Sequence, residues 1–219
     1  MTRRVWFVPP ALNASLRQAR FDDGAALDPA GRAAARAAAP ALPAPARAVA
    51  SGSPRCRETA ALLGLGAPST PEALAAPDTG SWRGRTLAEV SGSSPEEVGR
   101  WLGDPAFRAG GGESVADVCA RVAGWLDALD APGVPGAPGG SAAGADAGLV
   151  IGVVEPELVR AAVVHALGAP LSAYWRCDVA PLTVTELSGR AGRWNVRCGR
   201  PLTAPGSATG ADSQEASSR

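Results

Sequence analysis

The feature that most constrains this chain is the run GLVIGVV at residues 148–154, which carries no polar side chain. A strand with one face in water alternates apolar and polar residues. An uninterrupted apolar run is what a central parallel strand covered on both faces requires. Residues 3–8, RRVWFV, read as a second buried strand, and residues 46–51 as another short apolar run. LTVTELSGRAGRWNVRC, starting at Leu182, reads as a hairpin with a glycine-containing turn.

Helices fall between these strands. DPAGRAAARAAA at 28–39 offers Asp28 as a cap, Pro29 in the first turn and alanine throughout. SPRCRETAALLG starts a second helix, capped by Ser53 and stopped near Gly64. Residues 67–85 are loop-rich, and SPEEVGRWLGD at 94–104 is a short capped helix. In 113–129, the residues Val115, Val118, Val122, Trp125, Leu126 and Leu129 form one apolar stripe at helical spacing. A further helix is expected at about 157–167. Alternating strands and helices predict an α/β domain, a mostly parallel sheet with helices on both faces. In such folds ligands bind beyond the carboxyl ends of the strands, here residues 9–13 and 155–157.

The domain is expected to span 1–202. Within it APGVPGAPGGSAAGADAG, 131–148, has too few large apolar residues to order itself and reads as a flexible loop. Residues 203–219 read as a disordered tail for the same reason.

Composition excludes several functions. Twenty-one basic residues balance 21 acidic ones, so no basic excess suggests nucleic acid. No stretch reaches the roughly 20 apolar residues of a membrane span, and the short apolar run after Arg4 is cut by prolines. A cytoplasmic location is the expectation. Cys56, Cys119, Cys177 and Cys198 are far apart and read as reduced thiols. No cofactor or metal site is called for.

Several pieces, in order, resemble the histidine phosphatase superfamily, the phosphoglycerate-mutase-like proteins. LDPAGRAAA is similar to the helix start after its L-T-x-x-G pattern, and SGSPRCRETAALLG to its S-x-x-x-R-x-x-x-T-A helix. DTGSWRGRTLAEV, GGESVADVCARV and VIGVVEPELVRAAVVHALG match its D-F-G-x-W-E-G-x-T, G-G-E-S and V-S-H-G-G segments, and YWRCDVAPLTVTEL and GRWNV also fit. The likeness covers roughly residues 3–198 and implies a three-layer α/β/α fold.

In that family the first strand ends in R-H-G, whose histidine takes the phosphoryl group. Arginines and a second histidine hold the phosphate oxygens, and a carboxylate protonates the leaving group. Such chemistry needs a neutral imidazole to attack, cations to offset growing charge and an acid for the alkoxide. Laid on this chain, R-H-G becomes Pro9, Pro10 and Ala11, the second histidine becomes Glu155, and the proton donor becomes Ala76. Only Arg55 stays in register; Arg57 and Glu58 fit the helix but not the clamp.

Proline supplies no nucleophile, no charge and no N–H. A carboxylate at position 155 repels a phosphate by about 4 kcal/mol at about 4 Å and an effective dielectric near 20. The resemblance therefore implies a degenerate member, a binding or regulatory module whose partner, small molecule or protein, is unknown. Its expected ligand-side residues are Arg55 and Glu155, paired with each other within about 4 Å. The alternative is an active phosphomonoester hydrolase with a non-histidine mechanism using Glu155 and Arg55. A third reading is a structural protein. Glu155 and Glu157 flank Pro156 and could also form half of a metal site, for which nothing places further ligands. His165, the only histidine, lies about 15 Å along its helix and reads as structural.

Overall fold

The computed structural model describes residues 2–129 and 148–203. The loop expected at 131–148 and the tail at 203–219 lie, but for Gly148 and Thr203, outside the described residues. The apolar run becomes β3, Leu149–Val153, with every residue buried. It lies between β1, Arg3–Val8, and β2, Arg47–Ala50, and is parallel to both. Beyond β1 come β4, Thr183–Arg190, and β5, Arg193–Pro201, both antiparallel. The sheet order is β2-β3-β1-β4-β5. The expected hairpin is therefore the antiparallel part of a mixed sheet whose central part is parallel.

Alternation along β1 divides the core. Val5 and Phe7 face one layer, while Trp6 and Val8 face the other. The first layer is α6, Val115–Ala128, and α7, Pro156–Leu167. The second contains α3, Pro54–Leu62, packed beside α2, Pro29–Ala38. The α6 stripe meets the sheet through Val118, Val122 and Leu126. Gly152 faces the α6 layer, where a Cβ would come within 2.9 Å of the Phe7 ring. The absence of a side chain there lets Phe7 and Val49 close over the strand.

Two of the expected caps form, while Ser94 makes no side-chain cap hydrogen bond at the start of the 94–104 helix, whose first turn begins with proline instead. Asp28 accepts from the Gly31 N–H and Ser53 from the Cys56 N–H. Ser114 and Asp117 make a reciprocal capping box at α6. Gly31 has a second role. A Cβ there would sit 2.1 Å from the Leu12 carbonyl oxygen, so the loop after β1 can rest on α2 only if residue 31 is glycine. Two short helices follow no strong periodicity and were not expected: α1, Ala14–Arg17, and α4, Leu87–Ser93. The latter starts on a Thr86–Glu89 capping box and precedes α5, Pro95–Gly103.

Candidate functional site

The carboxyl ends of β1 and β3 lie side by side, since Val8 pairs with Val153. Their continuations differ. After β1, Pro9, Pro10 and Ala11 are all buried. The Pro9 carbonyl accepts from Leu182 at 3.1 Å, and the Ala11 N–H donates to Thr59 Oγ1 at 3.2 Å. After β3, Glu155 occupies the N-cap of α7 and Pro156 its first turn. The Glu155 side chain caps nothing on its own helix and turns toward α3 instead.

There it meets Arg55. Arg55 Nε donates to both carboxylate oxygens, at 3.1 and 2.9 Å, and Nη2 donates to Oε2 at 2.6 Å. Ser53, the cap of α3, also donates its hydroxyl to Oε1 at 2.6 Å. Glu155 is 0% exposed and Arg55 4%. The N-terminus of α3 therefore meets this internal anion, a placement that its dipole favours. The expected pairing is present, and Ser53 completes it.

Burial works against the Arg55 charge, but Glu155, with Asp22 and Glu157 nearby, more than reverses this and raises its pKa above the ordinary value. One donor is left over. Arg55 Nη1 is buried without a hydrogen-bond partner; its nearest acid is Asp22 Oδ1, 4.0 Å away. Neighbouring Cys56 is no thiolate nucleophile. Burial, then the Glu155 charge, pushes its thiol well up.

The ion pair does not fill the space. A cavity of about 200 Å³ remains beside it, with Arg55, Glu155, Glu157, Asp22 and Ala76 among its lining residues. Pro9 and Pro10 are not among the described residues that line it. The Glu157 side chain stands on the cavity wall, 37% exposed, and partial desolvation there, followed by the Glu155 charge, raises its carboxyl pKa. Phe21, Trp101, Tyr174 and Trp175 supply the apolar wall.

The structure thus brings Arg55, Glu155 and Ala76 to one place and holds the prolines behind it. Glu58 accepts from the Leu27 N–H and pairs with Arg32, so it ties α3 to α2 rather than serving the cavity. His165 Nε2 lies 3.1 Å from Asp127 Oδ1, linking α7 to α6. Asp22 and the aromatic wall carry no local motif. They come from segments far apart in sequence, Phe21 and Asp22 from a loop, Trp101 from α5 and Tyr174 and Trp175 from a 3-10 turn, and the buried hydroxyl role of Ser53 was hidden behind its legible role as a cap.

This fold and strand-end site define a class. A profile of the Histidine phosphatase superfamily (branch 1) matches residues 11–199, and the chain belongs to that superfamily. Solved structures share the fold. A mycobacterial glucosyl-3-phosphoglycerate phosphatase is 24% identical, with a TM-score of 0.77 over 92% of this chain and 100% of that one. The structure titled Mycobacterial hydrolase 1 is 24% identical, with a TM-score of 0.78 over 92% of this chain and 99% of that one. The alpha-ribazole phosphatase from Shigella flexneri is 14% identical, with a TM-score of 0.75 over 91% and 97%. No curated protein matches the sequence. Among the described residues no helix is long and apolar enough to cross a membrane.

Proposed function

We propose that this chain is a catalytically inactive histidine phosphatase superfamily protein, a pseudophosphatase that uses the old ligand end of its sheet for binding. The observation that carries this reading is the Glu155 carboxylate, fully buried and held by Arg55 and Ser53. It sits where the resemblance puts a phosphate-binding histidine, and it supplies from within the negative charge that a substrate would bring. Proline at positions 9 and 10 leaves no nucleophile at the end of β1.

The competing hydrolase needs a Glu155 carboxylate free to attack or to take a proton. Both of its oxygens are instead engaged by three donor groups: Ser53 Oγ, Arg55 Nε and Arg55 Nη2. The reading includes one domain over 1–202 and a cytoplasmic setting.

The test is enzymatic. The full chain is expected to hydrolyse p-nitrophenyl phosphate no faster than background and to form no acid-labile phosphohistidine. Restoring histidine alone, Pro10→His, should leave it inactive, because the missing groups act as a unit. Turnover by the wild type that disappears in Glu155→Ala would replace this reading with the carboxylate hydrolase.

A further inference from the structure

The geometry points to an interaction surface on the antiparallel half of the sheet: the outer edge of β5, with the arginine-lined face beside it, takes an extended acidic segment of another protein as an added strand. The inference goes beyond the strand-end site and uses none of its residues.

The first observation is the edge. β5 ends the sheet order and, among the described residues, pairs only with β4. Alternate residues of such a strand turn their backbone N–H and C=O groups away from the neighbour, where water or a further strand must meet them. The pairing is regular from Arg193 to Arg197 and then shifts register, where Gly199 takes a left-handed φ of 77°. The even part of the edge is therefore 193–197.

The second observation is charge. The register sets Arg190 directly across from Arg193 and Arg197 across from Glu186, all on the face that Trp6 shares. Arg200, across from Val184, lies on that face too. Glu186 is the one carboxylate among these positions, and Arg200 already holds it at 3.0 Å. Arg190, Arg193 and Arg197 are exposed and have no carboxylate partner among the described residues. Like charges facing each other across a strand pair are destabilising. A chain whose charges balance overall thus gathers three uncompensated guanidiniums on one sheet face.

The third observation is the other face of the same strand. Trp194 and Val196 pack against the α6–α7 layer, so β5 alternates arginine and asparagine outward with apolar residues inward. A strand laid beside it carries its own side chains in the same alternation. Acids at every second position would meet Arg193 and Arg197, and apolar residues between them would lie alongside Trp194 and Val196. That pattern commits the occupant to a polypeptide. A single-stranded nucleic acid would want open rings on which to stack its bases. Trp6, the aromatic residue on this face, already lies under Arg200 at 5.0 Å and Arg4 at 6.0 Å.

Charge on an edge also guards against aggregation, so the test separates recognition from protection. The probe is a blocked peptide of about eight residues alternating glutamate and valine, titrated into the full chain at low ionic strength. It is expected to bind, to weaken as salt is added, and to slow amide hydrogen exchange along 193–197. A peptide of the same composition with its glutamates in one block should bind at least about fivefold more weakly. Arg193→Glu combined with Arg197→Glu, at exposed positions that the fold tolerates, should weaken binding at least about tenfold. No binding by the wild type at about 1 mM peptide, with aggregation of the double variant, would show that the arginines only guard the edge and would overturn the inference. Equal binding of the blocked-order peptide, or exchange unchanged along β5, would overturn strand addition. An oligothymidylate of the same length that binds more tightly than the peptide would make this a nucleic-acid surface and overturn the choice of partner. Each of these outcomes leaves the pseudophosphatase reading untouched, since that reading is tested by turnover.

Discussion

The two strands that run side by side into the site, β1 and β3, end in opposite ways. β1 ends in apolar packing. Pro9, Pro10 and Ala11 are buried, and their backbone needs are met by Leu182 and Thr59. β3 ends in a buried charge, with Glu155 answered by Arg55 and Ser53. One end holds no chemistry to expose. The other holds a charged network whose members depend on one another. The same backbone frame can therefore end one strand in apolar packing and its neighbour in a charge satisfied from within.

The difference predicts how each end responds to damage. Breaking the network at β3 should cost most. Glu155→Ala strands the Arg55 charge in the interior and should lose about 3–5 kcal/mol of unfolding free energy by urea denaturation. Glu155→Gln keeps an acceptor for Arg55 and should lose less. A paired apolar replacement of both residues should recover much of the loss, since buried ion pairs are often no better than well-packed hydrocarbon. If Glu155→Ala is as stable as wild type, the network is not what closes this end.

At the β1 end the corresponding cut is Thr59→Val, which leaves the Ala11 N–H buried without its acceptor. A loss of about 1–3 kcal/mol is expected, measured in the same way. Ser53→Ala touches both the α3 cap and Glu155, and should lose about 1–2 kcal/mol. A larger loss for Thr59→Val than for Glu155→Ala would invert the comparison.

The smallest effect concerns the wall. The Glu157 carboxyl is raised above its ordinary value of 4.5 in the folded protein. A carboxyl raised on folding adds stability below its unfolded pKa, and that contribution is lost as pH rises through the folded one. Wild type and Glu157→Gln should therefore converge below the ordinary carboxyl value, while the variant melts higher at neutral pH. Identical pH profiles for the two would show that Glu157 is as free as a surface carboxylate.

The legibility of the sequence was uneven for physical reasons. β3 could be read because a strand covered on both faces admits no polar residue, and α2, α3 and α6 because caps and apolar stripes are local. The short helices α1 and α4 escaped because seven residues or fewer hold too little periodicity. Arg55 and Glu155 could be paired through the resemblance, although 100 residues separate them. The cavity beside them could not. Its occupants depend on where the Phe21, Asp22 and Trp175 segments settle, and no spacing records that.

By itself, then, the sequence determined the layers, the order of the main strands and longer helices and the absence of histidine from both strand ends, since these follow from residue type, local pattern and, for the strand ends, the positions the resemblance marks. The tertiary structure alone decided that Glu155 turns away from its own helix to Arg55 and Ser53, that the prolines withdraw into the core, and that an acidic, aromatic cavity stays open. Those outcomes depend on side chains brought together by the sheet register and loop packing. Burial makes each charge depend on whichever partner the fold supplies, and that partner is a property of three-dimensional placement rather than of the chain's local pattern.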